Sequence, residues 1–482
     1  MTETSHGSWS VVELAAELNS GRLSAERYAS ECLEALRAWR GLVCVTWIDE
    51  TAVLQAARML DRQRSQTKSP GPLAGIPVLV KDNIDTIGFP TTAGAQIFRE
   101  LRPRSNARLV DRLLGLGAIV FGKANMHELA AGGTTNNPTY GTTRNPYARD
   151  RVPGGSSGGS GAAVGAGIVP FALGSDTAGS VRIPAAYCGV AGLRPTVLSR
   201  ESKAYSAEGL LPFSIDLDTI GPLARTVNDL SFIDSAIRGI APKPVPGPAD
   251  LRMGLPIQYY WDDLDSRIAD VIHNAIGTLR AAGVEFVQVD VSPYIQPAAE
   301  GFRLLAFDAG FCSDFPTFLT KHGMTLEQVV AGIRARDVQA LVAEIMAGSA
   351  APDVVRRTRE ELRPAANRAY ASIIKEHRLD CLLFPTVALL PPEIQETGDA
   401  AHSGTSINGK TLPTNYLMIR NTLVTSFLGA PGLSLPAGMT DTNLPVGLEL
   451  DGLPGGDASL LAVGRAIEAV LGVLKRPTPF SD

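Results

Sequence analysis

Lys81, Ser156 and Ser180 are the side chains through which this chain could do covalent chemistry. Both serines lie in residues 151–180, RVPGGSSGGSGAAVGAGIVPFALGSDTAGS, which hold nine of the 48 glycines together with five serines. Glycine adopts backbone conformations closed to other residues, so such a stretch lets N–H groups approach a reacting atom. A flexible Ser/Gly linker is the alternative, but linkers lack the apolar residues found here as Val164, Ile168, Val169, Phe171 and Leu173. A serine hydroxyl is a weak nucleophile until a base takes its proton. His273, His322, His377 and His402 have no distinctive context, which makes lysine the next candidate. A lysine acts as a base only when its pKa falls by about 3 units from roughly 10.4, and burial does this. Lys81 ends the apolar run 76–80, a position suited to the carboxyl edge of a sheet, where open α/β proteins put their sites. The residues alone leave a second reading open, in which Lys81 pairs with Asp82 or Asp85 at the surface.

Three other patterns imitate known sites. Residues 117–123, GAIVFGK, match the start of a phosphate-binding loop, but Ala124 replaces the Ser/Thr that would hold Mg²⁺. Residues 155–159, GSSGG, match a nucleophile elbow, yet no buried strand precedes them. His127 beside Glu128 has Ala131 at the i+4 position where a metal site would want a ligand, so a helix-surface or supporting role is expected.

The elements that must position these residues alternate. Ser10 and Glu13 have the spacing of a capping box, so a helix is expected from there to about residue 19, with more helix to about residue 64. Residues 76–80 and 118–121 read as buried strands, and 109–116 and 124–130 as helices. The pattern recurs in a helix through Ile268, Ile272 and Leu279 and a strand over 284–289. The order is that of an α/β fold. Pro242, Pro244, Pro246 and Pro248 mark a stiff connection, and 391–414 reads as a long loop, a candidate lid over a pocket.

The chain has 482 residues, 45% of them hydrophobic and 19% charged, a composition that excludes disorder. A net charge of −5 without a basic block excludes a nucleic-acid partner. Five cysteines, widely spaced and without a CxxC pair, read as reduced, mostly buried thiols rather than a disulfide framework or zinc site. No signal-like start and no membrane-length apolar run occur, so a cytoplasmic protein with a small-molecule partner is expected, no membrane association, and a homodimer as one possible assembly.

Residues 75–83 (GIPVLVKDN), 153–160 (PGGSSGGS) and 174–184 (GSDTAGSVRIP) resemble the amidase signature family. The separations, 75 residues from Lys81 to Ser156 and 24 from Ser156 to Ser180, also resemble it. The likeness continues through residues 122–129, 192–196, 218–225 and 444–450. It implies a single α/β domain over 1–482, with a central mixed sheet flanked by helices on both faces. Residues 1–65 would be an N-terminal helical segment, 66–240 would carry the catalytic motifs, and 250–482 would complete the sheet and cover the pocket.

The resemblance also implies roles. Ser180 would be the nucleophile, Ser156, after a cis bond from Gly155, the proton relay, and neutral Lys81 the base. No metal or other cofactor is implied. The N–H groups of Thr177, Ala178, Gly179 and Ser180 would form an oxyanion hole, Asp176 and Arg182 would hold that loop, and Ser157 would support Ser156 or Lys81. Ala130, Ala131, Gly132 and Gly133 would line an acyl pocket roomy enough for a bulky or aromatic group. Two departures stand out: Ala178 replaces the family's more usual glycine, and Val197 to Arg200 replace its usual continuation, so 197–209 is expected to be reshaped. The glutamine-handling subunit of the tRNA-dependent amidotransferase, in the same family, usually carries Gln at the position of Ile183, which favours a stand-alone hydrolase and makes Ile183 a substrate-binding candidate. Residues 126–137 resemble those of indoleacetamide and mandelamide hydrolases. Anilides, ureas, carbamates and esters share the same acyl chemistry.

Overall fold

Eleven strands form one mixed sheet in the computed structural model, which describes residues 9–66, 71–348, 350–395 and 404–480. In spatial order they are Val45–Trp47, Ile119–Ala124, Pro77–Lys81, Phe171–Asp176, Thr219–Ala224, Ala191–Arg194, Gly432–Met439, Pro445–Asp451, Cys381–Pro385, Arg252–Pro256 and Glu285–Val289. The strands from beyond residue 250 join the earlier ones where Gly432–Met439 pairs with Ala191–Arg194. One sheet therefore runs across the proline-rich 242–248 connection, and the chain is a single α/β domain with helices flanking the sheet.

Pro77–Lys81 pairs in parallel with both neighbours, and every residue of it is buried. That explains its unbroken apolar run, since parallel strands are covered on both faces. The register sets Lys81 opposite Ala124 and Val80 opposite Leu173. Asp176 lies opposite Thr219 on the antiparallel neighbour. Lys81, Ser175, Asp176 and Asp218 thus come together at one edge of the sheet. The all-buried helix Gly158–Gly165 packs against the same strands. A Cβ on Gly159 would stand 2.4 Å from the Asn125 carbonyl oxygen, so only glycine permits this approach.

The helix Val11–Ser20 has the expected capping box at Ser10 and ends on Gly21 in the left-handed region. Three expectations are corrected. The helical stretch towards residue 64 is two helices, Ala25–Ala38 and Glu50–Gln66, separated by the short strand Val45–Trp47. Residues 124–130 are not a helix: Ala124 ends a strand, and only the single 3-10 turn Glu128–Ala130 follows. There Asn125 Oδ1 accepts the Met126 amide, and a side chain that takes a neighbouring backbone N–H competes with helix formation. The segment 391–414 is not one loop. Gly404–Ile407 and Lys410–Pro413 pair as a hairpin around Asn408-Gly409, both at positive φ, while 396–403 lie outside the described residues.

Residues 292–376, between the strands Glu285–Val289 and Cys381–Pro385, are a largely helical insertion. Its π-helical stretch Leu304–Asp314 carries Phe307. Such stretches recur near functional sites. All five cysteines are free, and all but Cys312 are buried.

Candidate active site

Lys81 is fully buried, and its Nζ donates to Ser156 Oγ at 2.7 Å and to Ser175 Oγ at 2.9 Å, with the Ser175 carbonyl oxygen at 3.3 Å. Burial lowers its pKa to about 7, against the opposing pull of Asp176 and Asp218. The three contacts suit either protonation state. An ammonium has three donors for three oxygens; a neutral amine places two N–H groups on Ser175 and keeps its lone pair for the Ser156 hydroxyl. The surface ion pair left open by the sequence is not formed, because Asp82 pairs with Lys123 at 3.3 Å, both fully buried. Lys123 also donates to the carbonyls of Ile84 and Pro90, so it is no phosphate-binding lysine.

The Gly155–Ser156 peptide bond is cis. The Ser156 carbonyl accepts the His127 amide at 3.1 Å, and the Ser180 carbonyl accepts the Ser157 amide at 3.2 Å. Among the described residues the Ser180 hydroxyl has no hydrogen-bond partner, and it borders an apolar pocket. Lys81 and Ser156 are therefore joined directly, whereas Ser180 is tied to this group through the backbone. Ser157 Oγ donates to the Ser175 carbonyl and accepts the Ser175 amide. It reaches Lys81 only through Ser175, a residue the sequence reading did not single out although it lies inside a quoted motif.

Asp176 organises the loop before Ser180. Its Oδ1 accepts the Gly179 amide at 2.9 Å and its Oδ2 the Val181 amide at 3.1 Å. The expectation of four amides facing substrate is corrected accordingly, since that of Gly179 is turned onto Asp176. Gly179 itself has φ 125°, and a Cβ there would meet Thr422 Oγ1 at 2.1 Å. Ala178 is not among the non-glycine residues with positive φ, so its methyl group is accommodated without backbone strain. Thr177 Oγ1 donates to Asp218 Oδ1 at 2.6 Å. Arg182 Nε and Arg194 Nη1 hold the Asp176 carboxylate at 3.1 and 3.0 Å, all three side chains being fully buried. Burial alone would push Asp176 up; the two guanidinium groups hold it well below the usual carboxylate range. Arg182 also donates to Glu449 at 2.9 Å.

Asp176→Ala is expected to destabilise the fold by about 3–5 kcal/mol, because it strips a charge from buried arginines and an acceptor from two amides. A lowered urea midpoint checks this; an unchanged midpoint would show that Glu449 alone neutralises the arginines.

The pocket beside Ser180 is open to solvent and spans about 510 Å³ with its mouth included. Ala130, Ala131, Gly132, Gly133, Thr177 and Ala178 line it together with Phe213, Phe302, Phe307, Leu341 and Ile419. Ile183 is corrected: it is buried and does not line the pocket, its Cδ1 lying behind Gly179. The aromatic wall was missed, because Phe302, Phe307 and Leu341 come from the helical insertion and carry no local signal. A wider, open cleft has Arg108, Arg200, Lys203 and Lys321 on its walls and is also lined by Asp218. It contains none of Lys81, Ser156 or Ser180, so the smaller apolar pocket is the one the chemistry faces. The loop 197–209 contributes Arg200, Lys203 and Gly209 to that outer cleft.

No single helix among the described residues is long and apolar enough to cross a membrane. The chain is 34% identical to mandelamide hydrolase from Pseudomonas putida over 97% of its own length and 92% of that protein. It is 36% identical to indoleacetamide hydrolase from Agrobacterium vitis over 91% of each chain. A crystal structure of an amidase superposes with TM-score 0.84 at 30% identity, covering 96% of this chain and all of that one. The amidase family profile matches residues 30–461. With a buried lysine, two serines and a glycine-rich loop assembled at the end of the central strands beside an apolar pocket, the chain belongs to the amidase signature family, hydrolases of the carbon–nitrogen bond of amides.

Proposed function

We propose that the chain hydrolyses amides of arylacetic-type acids through an acyl-serine at Ser180. The observation that carries this reading is the buried 2.7 Å contact between Lys81 and Ser156 beside a Ser180 that borders an apolar, aromatic-walled pocket. Ser180 Oγ attacks the carbonyl carbon and passes its proton to Ser156 Oγ as the Ser156 proton moves to Lys81 Nζ. The carbonyl oxygen takes up negative charge next to the amides of Thr177, Ala178 and Ser180; each such donor is worth about 3–4 kcal/mol in the transition state. The C–N bond then breaks, the proton returns through Ser156 to the leaving nitrogen, and ammonia or an amine departs. Water, deprotonated along the same path, attacks the ester carbon, releases the carboxylic acid and restores Ser180. Every step is proton transfer and acyl transfer among these residues, without a cofactor.

The substrate class follows from the walls. No residue lining the pocket is charged, which disfavours glutamine, whose ammonium and carboxylate would go unpaired in an apolar site. A phenyl ring buried there is worth about 2–3 kcal/mol. Phenylacetamide is therefore expected to exceed acetamide in kcat/KM by about 30–150-fold, read as ammonia release by the purified chain. Preference for glutamine, or no release without added subunits, would overturn the reading.

A further inference from the structure

We propose that His127, seated against Asp337, is a positioning residue that sets the floor of the acyl pocket, an inference that rests on the reading of residues 130–133 as that pocket's wall. His127 is fully buried, and its Nε2 faces Asp337 Oδ2 at 3.1 Å. Its Nδ1 accepts the Thr135 amide at 3.2 Å, which places the proton on Nε2; that atom meets Asp337 at close range but forms no aligned hydrogen bond with it. The ring lies directly behind Gly132. A Cβ on Gly132 would fall 2.3 Å from His127 Nε2, 2.5 Å from Cε1 and 2.7 Å from Cδ2.

The segment being supported is strained. Leu129, Ala130 and Thr135 all have positive φ, at 55°, 58° and 57°. Non-glycine residues keep such conformations only where surrounding contacts over-determine them. His127 supplies two of those contacts, its Nδ1 accepting the Thr135 amide and its carbonyl oxygen the Ala130 amide at 3.0 Å, and the neighbouring Glu128 Oε2 accepts the amides of Arg334 and Ala335, at 3.0 and 2.6 Å. Asp337 and Leu341 belong to one helix, Arg336–Ala347. The same contacts thus join the small-residue stretch of the pocket to the helix that brings Leu341 into its lining.

The test is a double-mutant cycle between His127 and Gly132, read both as thermal midpoint and as the ratio of kcat/KM for phenylacetamide to that for propionamide. Gly132→Ala is expected to lower the midpoint and cut the ratio at least tenfold, because the new methyl group collides with the ring. His127→Ala is expected to raise KM for phenylacetamide about tenfold while changing its kcat less than threefold, and Asp337→Asn to raise KM a few-fold. In the double variant His127→Ala/Gly132→Ala, the methyl group enters the space left by the ring, and at least half of the loss caused by Gly132→Ala is regained in both readouts. Should His127→Ala not fold, His127→Asn takes its place, keeping an acceptor for the Thr135 amide while removing Nε2 and Cε1. Additive losses in the double variant, or equal losses of kcat for both amides, overturn the proposal. If the parent chain does not hydrolyse arylacetamides, the functional reading fails, and the midpoint cycle still decides the role of His127.

Discussion

Ser180→Ala is expected to lower kcat/KM for an arylacetamide by about 10⁴–10⁶-fold, the range seen when a covalent nucleophile is removed from a group that acts as a unit. The fold should be unaffected. The Ser180 hydroxyl has no hydrogen-bond partner among the described residues, and its carbonyl, which accepts the Ser157 amide, remains in the variant. Removal of an unpartnered, pocket-facing hydroxyl changes stability by less than about 0.5 kcal/mol. Activity and stability therefore separate cleanly at this position, which they do not at Ser156, whose hydroxyl meets Lys81. The loss is read by steady-state kinetics at equal circular dichroism and thermal midpoint. A serine-directed fluorophosphonate supplies the direct check: one adduct, on the peptide containing Ser180, and none in the variant. Residual activity within tenfold of the parent, or labelling of another serine, would remove Ser180 from the nucleophile's role.

How much of this was legible beforehand depended on whether a residue's neighbours lie along the chain or across it. The strand before Lys81 reads directly, because a parallel strand covered on both faces is apolar throughout. The Ser10 box and the Gly21 stop are local signals as well. Ser175 was overlooked because its part in the site is created by strand register, which brings it to Lys81 across 94 residues of sequence. Arg194 gave no sign that it would be buried against Asp176, a pairing made by tertiary structure alone. The helix expected over 124–130 failed for the reason that makes the segment interesting: Asn125, His127 and Glu128 bond to Val43 and Gly141, to Thr135, and to Ala335, partners that a helix would not reach. The Asn408-Gly409 turn was readable as a hairpin signal, but the surrounding composition of Pro, Gly and Thr was read as loop.

Lys81→Met is expected to lower kcat/KM by about 10²–10⁴-fold, the usual worth of a general base, and to make the protein more stable below neutral pH. With the pKa of Lys81 near 7, the parent's kcat/KM should climb about tenfold per pH unit up to that point and then level off. The residual activity of the variant should lack this inflection. The stability argument has the opposite sign from that of a lysine gaining an ion pair. Folding lowers the pKa of Lys81 from 10.5 to about 7, so between those values the unfolded chain binds more protons and parental stability rises with pH. Below about pH 7 the full burden of the buried ammonium applies, on the order of 5 kcal/mol. Methionine removes that burden. Against it stands the Ser156 hydroxyl left without its partner, about 1–3 kcal/mol, whereas Ser175 Oγ keeps its hydrogen bond from Asn83 at 3.0 Å. The larger effect wins at pH 6, where the variant should gain about 2–4 kcal/mol; the gain should shrink above pH 7, vanish between about pH 8 and 10, and reverse beyond. Urea unfolding of both proteins at pH 6 and pH 9 measures it. A variant less stable than the parent at pH 6, or parental activity that stays level down to pH 5, would mean that Lys81 is not the group whose neutral form does the work. A lysine kept in an apolar strand at such a cost to stability breaks the rule that buried charges are paired, and proteins break such rules where chemistry requires it.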